Sequence, residues 1–202
     1  MKVYNVAFEI EGPYAMFMRP DTGAAPISYP VPTFSAAKGL FEAVARYETA
    51  YIRPTKLEVC KPIKFHRYVT NYNGPLRKSS QISKDTAHQI MATILTDVCY
   101  RIYGVVEEVK RPENGLNHIH ALQEIFLRRL NSGKHYSKPC LGWKEFVPSY
   151  IGPFRTETNV EDTFNQIIPS MLFSVFNPPV NGKYAPVYRQ NVEIKNGELI
   201  YA

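Results

Sequence analysis

The 202 residues are 45% hydrophobic and 21% charged, which excludes a disordered chain and predicts one domain, or one domain with a small satellite. Twenty-four Lys and Arg against 18 Asp and Glu give a formal charge of +6, a surplus that favours a polyanionic partner. Cys60, Cys99 and Cys140 form no C-x-x-C, and no segment reaches the ~18–20 apolar residues of a membrane span, so a cytoplasmic protein with no disulfide framework, metal or cofactor is expected.

Tyr4, Val6, Phe8 and Ile10 alternate with Asn5, Ala7 and Glu9, the period of a half-buried strand, which Gly12-Pro13 should end. A loop through Asp21-Thr22-Gly23 leads past Pro30 and Pro32 to Thr33, a cap for a helix whose Phe34, Ala37, Phe41, Val44 and Ala45 share one face. Extended chain follows at Leu57, Val59, Ile63 and Phe65, bent or at an edge where Pro62 interrupts it. From 64 to 92, Lys64, His66, Arg67, Arg77, Lys78 and Lys84 gather around Asn73-Gly74-Pro75 with few apolar residues between them. This composition suits a projecting basic hairpin, or equally a solvated excursion.

A second strand is predicted at Val98, Tyr100 and Ile102, continuing through Val105 and Val106. Asn117 can then cap a helix with a stripe of Ile119, Leu122, Phe126 and Leu130, an outer face of His120, Glu124 and Arg128, and a stop at Gly133. An extended piece near Trp143 to Val147 completes β-α-β-β-α-β, an α+β fold of the ferredoxin-like (RRM-like) kind. Met171 to Phe176, Val187 to Ile194 and Leu199-Ile200-Tyr201, after a turn at Asn196-Gly197, predict a small C-terminal antiparallel β extension.

The run Ser28-Tyr29-Pro30-Val31-Pro32-Thr33, continuing Ala37-Lys38-Gly39-Leu40-Phe41-Glu42-Ala43, resembles the CRISPR-associated Cas-five proteins of subtype I-C, in the RAMP superfamily. Gly12-Pro13-Tyr14-Ala15-Met16-Phe17 is similar to that family's G-x-Y-A-x-F. Phe126-Leu127-Arg128-Arg129 with Gly133, Pro139, Leu141-Gly142 and Lys144-Glu145-Phe146 is similar to its F-x-R-R…G…P-x-L-G-x-R-E-F. Met171-Leu172-Phe173 and Asn196-Gly197 match its closing strands, so the agreement runs in order over essentially the whole chain.

The resemblance implies a ferredoxin-like RAMP domain over 1–150 with a thumb at about 64–92, and a C-terminal β-strand extension over 151–202. It implies a crRNA-binding subunit of a type I CRISPR surveillance (Cascade) complex in antiviral defence, gripping the repeat-derived 5′ handle and touching the backbone and large subunits. It further implies cutting of pre-crRNA by metal-independent attack of a ribose 2′-OH on the adjacent phosphate, which needs a base, an acid and a cation. The alternative is a non-catalytic scaffold of the same complex. An unrelated RRM-like RNA binder is the weaker third reading, since no aromatic RRM motif is evident around Val98 to Val106.

The family's catalytic Tyr falls on Ala45 here, and its Lys-His pair near Ala121-Leu122. Tyr47 lies two residues on, turned by roughly 200° in a helix, so it can substitute only where the helix has ended. His118 and His120 suit proton transfer but read more readily as solvated or capping residues, and Lys134-His135-Tyr136 reads as a phosphate-binding loop before a catalytic one. The catalytic candidates are therefore Tyr47, His118, His120, Lys134 and His135. Expected RNA contacts are Lys38, Arg46, Lys64, His66, Arg67, Arg77, Lys78, Arg128 and Lys144, joined by Lys134 and His135, with Tyr14 and Arg19 stacking on or clamping a handle base. Each of these taken singly also suits a solvated surface or loop packing.

Overall fold

A computed structural model describes residues 3–23, 25–72, 78–86, 88–111 and 117–201. The first alternating run forms β1 (Asn5–Ala15), with Val6, Phe8 and Ile10 buried. It does not stop at Gly12-Pro13. Pro13 is tolerated because β1 has already run past its short outer neighbour there, leaving β4 as its one strand partner at that point.

Thr33 starts α1 (Phe34–Val44) by accepting a hydrogen bond from the Ala36 N–H at 3.1 Å, and Ala45 leaves the helix in extended geometry. Next come β2 (Ala50–Val59), β3 (Lys64–Tyr72), the short α2 (Ser79–Ser83) and β4 (His88–Glu108). At 21 residues, β4 is far longer than the predicted strand. Its second half lies between β1 and β2, while its first half pairs with β3, from Lys64 opposite Thr96 to Tyr72 opposite His88.

Asn117 caps α3 (His118–Asn131), whose Leu122, Phe126 and Leu130 are buried. The next strand is β5 (Tyr150–Gly152), not the predicted piece at Trp143 to Val147. That segment is instead a turn: the Leu141 N–H donates to the Phe146 carbonyl at 2.8 Å, and the Trp143 and Phe146 rings stack 5.6 Å apart. Then follow β6 (Gln166–Asn177), β7 (Lys183–Lys195) and β8 (Glu198–Ile200), the last two joined by a tight turn in which Asn196 and Gly197 both have positive φ.

The strands form one antiparallel sheet in the order β5-β1-β4-β2-β8-β7-β6, with β3 attached to β4. On one face Phe8, Phe41 and Phe126 meet at centroid separations of 5.0 to 6.1 Å, tying β1 to α1 and α3. The sheet curls back over α1: Phe173 of β6 stacks on Phe34 at 4.4 Å, and the buried Tyr201 donates to the Pro32 carbonyl at 2.7 Å. This mixed α/β architecture buries a single continuous core.

The other face of the central strands is polar yet covered. Fully buried Glu9 accepts from Arg155 Nε at 2.6 Å, Thr158 Oγ1 at 2.9 Å and Arg101 Nε at 3.1 Å. Arg101 also donates to the carbonyls of Arg155 and Thr158 at 2.9 and 2.7 Å, and its guanidinium lies 4.8 Å from the Phe154 ring. The segment 153–161 is thereby pinned across this face, with Arg155 reaching on to Glu11.

Candidate nucleic-acid interface

Because α1 ends at Val44, five irregular residues lead to β2, starting extended at Ala45 and bending at Glu48 and Thr49. Three bonds hold the far side of this run: Arg129 Nη1 donates to the Val44 carbonyl at 3.1 Å, and the Tyr136 and Ser137 N–H groups donate to the Ala43 carbonyl at 2.8 and 3.0 Å. The chain after α3 is thus docked on the end of α1. Between them lies an open cleft of about 560 Å³ lined by Arg46, Tyr47, Glu48, Thr49 and Tyr136. Arg46, Tyr47 and Lys134 are exposed, and neither Arg46 nor Lys134 has an ion-pair partner among the described residues.

The condition on Tyr47 is met, since the helix stops before it and its side chain lines the cleft. His118 differs from expectation: it is buried, with Nδ1 2.7 Å from Thr49 Oγ1 and Nε2 3.0 Å from Glu108. An ionised carboxylate only accepts, so Nε2 carries the proton directed at Glu108, and Nδ1 shares a hydrogen bond with the Thr49 hydroxyl. Asn117, not His118, caps the helix. His118 therefore pins the cleft's Thr49 end to α3 and β4.

His120 is exposed, 3.5 Å from Glu124 and 5.6 Å ring to ring from Tyr4. His135 is half-buried, its Nε2 lacks a hydrogen-bond partner among the described residues, and desolvation lowers its pKa. The 14 residues of α3 separate His118 from the Lys134-His135 pair by roughly 20 Å along the helix axis. The five catalytic candidates thus do not meet at one point, and of them only Tyr47 lines the cleft.

A second group sits at the root of the β3–β4 hairpin. Tyr14, Tyr68, Trp143 and Phe146 form an aromatic cluster with centroid separations of 5.6 to 6.5 Å, and Tyr14 stays partly exposed. Lys64, His66 and Arg67 are exposed on β3, Lys144 on the turn after α3, Lys78 at the start of α2 and Arg128 on the outer side of α3. The hairpin also exposes Phe65, Val69 and Met91, with Val69 opposite Met91.

Three expected RNA contacts carry internal ionic partners, one of them Lys64, 3.9 Å from Asp97. Arg19 grips Asp21 with Nε at 3.1 Å and Nη2 at 2.7 Å, and its guanidinium lies 5.7 Å from the Tyr29 ring. Lys38 pairs with Glu42 at 2.7 Å and is largely covered. Arg77 and the Asn73-Gly74-Pro75 turn lie outside the described residues. Sequence reasoning passed over Glu48, Thr49 and Arg129. Nothing local marks Thr49, whose histidine partner is 69 residues away.

Among the described residues no group of three or more His, Cys, Asp or Glu side chains could hold a metal ion, and no helix is long and apolar enough to cross a membrane. Solved structures share this fold. One described as a CRISPR-associated protein superposes with a TM-score of 0.73 at 18% identity, covering 100% of this chain and 95% of its own. The functionally uncharacterized protein SMU1763c from Streptococcus mutans gives 0.70 at 18%, covering 98% and 92%. In sequence, the CRISPR pre-crRNA endoribonuclease Cas5d of Mannheimia succiniciproducens is 29% identical over 218 residues, covering 96% of this chain and 93% of its own. The Thermus thermophilus protein of the same name is 33% identical over 150 residues, 72% of this chain and 62% of its own. The Cas_Cas5d family model, described as CRISPR-associated protein (Cas_Cas5), matches residues 6–174, and with that match the chain belongs to the Cas5 family of CRISPR-associated proteins.

Proposed function

We propose that this chain is the crRNA-binding subunit of a type I surveillance complex, holding the repeat-derived 5′ handle and cutting pre-crRNA through the ribose 2′-OH. The observation that carries the reading is the cleft at the end of α1, where Arg46, Tyr47 and Tyr136 meet beside the exposed Lys134. Unpaired cations neutralise phosphates and phenol rings stack on unpaired bases, which is what a single RNA strand requires. The units β1-α1-β2 and β4-α3-β5, with strand order β5-β1-β4-β2, support a ferredoxin-like core over 1–150. In this reading β3 and the first half of β4 are the thumb, 151–202 is the C-terminal extension, and the backbone and large subunits of the complex are the protein partners.

An RRM binds RNA on the open face of its sheet. Here that face is filled by Glu9, Arg101 and the 153–161 segment, which directs RNA to the helix side and the hairpin instead. In the cleavage step Glu48 takes the 2′-OH proton, the 2′-oxygen attacks phosphorus, and the Tyr47 phenol protonates the leaving 5′-oxygen. Arg46 and Lys134 balance the charge that develops on the phosphorane. The scaffold reading draws on two observations: Ala45 stands where the family has its Tyr, and both ring nitrogens of His118 are occupied.

Incubating the purified protein with its cognate repeat RNA in EDTA, beside the same RNA carrying a 2′-deoxy at the cut site, separates the readings. Cleavage of the first alone is expected, with Tyr47→Phe binding normally and cutting about 100-fold more slowly. Tight binding with neither substrate cut leaves the scaffold. Failure to bind at low salt overturns both.

A further inference from the structure

We propose that Cys60 and Cys99 form a redox site at the root of the hairpin, closing to an intrachain disulfide under a peroxide and reopening under a thiol reductant. The inference stands apart from the RNA reading. Val59 pairs with Tyr100, so the next cross-strand pair is Cys60 with Cys99, and the Cys60 N–H donates to the Cys99 carbonyl at 2.8 Å. Such an antiparallel pair sets its Cα atoms about 5.5 Å apart, inside the ~4.4–6.8 Å span of disulfides. As directly opposed residues of an antiparallel pair, their side chains stand on the same face of the sheet.

Both sulfurs border an open cleft of about 440 Å³, whose walls include Glu11, Lys61, Arg155 and Thr158. Cys99 is buried within the sheet and Cys60 is half-buried, so a small oxidant entering the cleft is the reagent that fits. Around Cys99 stand Arg155 Nη2 at 3.9 Å and Glu9 Oε1 at 4.0 Å, with Glu11 opposite in the strand register and Arg101 two residues on. The neighbouring Cys60 thiol, aided by Arg155, draws the Cys99 pKa down against burial and the two carboxylates. The neighbouring Cys99 thiol, with burial, pushes that of Cys60 up. Cys99, the thiol of lower pKa, is thus the attacking sulfur and Cys60 the resolving one.

The Cys99 thiolate attacks one peroxide oxygen: an S–O bond forms, the O–O bond breaks and hydroxide leaves, giving the sulfenic acid. The Cys60 sulfur then displaces that oxygen as water, its own proton leaving with it, and the S–S bond forms. Two electrons pass from the sulfur pair to the peroxide. The bridge would tie the 60–63 link that leads into β3 to the middle of β4, fixing the base from which the hairpin projects.

The test is brief hydrogen peroxide treatment of the reduced full chain, alkylation of remaining thiols, non-reducing trypsin digestion and mass spectrometry. The expected product joins peptides 57–64 and 85–101, two hydrogens lighter than their sum and separated by dithiothreitol. It should form about tenfold faster than Cys140 reacts, because Cys140 lies outside the strands of the described residues and has no cysteine opposite it. Cys60→Ser should abolish the joined peptide and leave a Cys99 sulfenic acid that dimedone traps; the unmutated chain decides the matter even if that variant folds poorly. Oxidation of Cys140 while Cys60 and Cys99 stay alkylatable, or separate conversion of either to sulfinic acid, overturns the proposal.

Discussion

Glu9→Ala is expected to destabilise the protein by about 3–5 kcal/mol, the range for removing one partner of a buried charge pair. The carboxylate is fully covered and holds Arg101, Arg155 and Thr158, so its loss leaves the Nε of both arginines without an acceptor and loosens the 153–161 segment. The exposed pair Lys195–Glu193 is the control, since solvent screens it and its removal should change stability by less than about 1 kcal/mol. Urea denaturation at neutral pH measures both. A Glu9→Ala midpoint equal to that of the control would contradict the buried-network account.

Acid should act through the same groups. Burial pushes the Glu9 pKa up, but hydrogen bonds from Arg155, Thr158 and Arg101 outweigh it and hold the carboxyl below its ordinary value. Glu11 is lowered chiefly by its hydrogen bond from Lys61, against burial and with help from Arg155. A depressed carboxyl binds fewer protons folded than unfolded, so its stabilisation is complete above the unfolded pKa of about 4.3 and fades as pH falls through the lower folded values. Glu9→Ala should therefore flatten the acid limb of a stability–pH curve as well as lower its plateau.

Gly142→Ala is the second large effect. Gly142 has φ +90, and a Cβ there would lie 1.8 Å from the Met16 carbonyl oxygen and 2.6 Å from its carbon. The backbone cannot yield easily, because the Met16 N–H is bonded to the Leu141 carbonyl at 2.9 Å. Left-handed strain and the clash together should cost about 2–5 kcal/mol. Gly133 is the discriminating control: its φ is +65 but a Cβ would meet nothing within 4 Å, so Gly133→Ala should cost only the ~1–2 kcal/mol of backbone strain. Thermal unfolding of the two variants separates collision from conformation. Because Gly142 precedes the turn carrying Trp143, Lys144 and Phe146, RNA affinity should fall with Gly142→Ala and hold with Gly133→Ala.

Where hydrophobic period and capping chemistry agreed, the fold was readable from sequence. Thr33 and Asn117 cap the helices they were expected to cap, and Asn196-Gly197 makes the expected tight turn. The closing strand was misplaced because a three-residue strand has no period to read, whereas Trp143 and Phe146 imitate one while stacking within a turn. Glu9 read as solvent-facing for a related reason: its cover, 153–161, is irregular chain, and irregular chain announces no partner.

At the candidate site the local part of the reasoning carried furthest. Helix arithmetic stated the condition under which Tyr47 could face a cleft, and the extended geometry of Ala45 supplies it. The Lys38–Glu42 pair, one helical turn apart, was legible but went unweighed. The fixing of His118 by Thr49 and Glu108 was not legible, because three separate elements bring those side chains together.

The central claim is that repeat RNA lies along the helix side and the hairpin, not on the covered sheet face. Photo-crosslinking of 4-thiouridine-substituted repeat RNA at low ionic strength, with peptide mapping, tests it most directly. Adducts are expected on Arg46 and Tyr47, on 134–136 and along β3, with none on 153–161. Adducts concentrated on 153–161, or loss of the RNA before irradiation, would contradict the account.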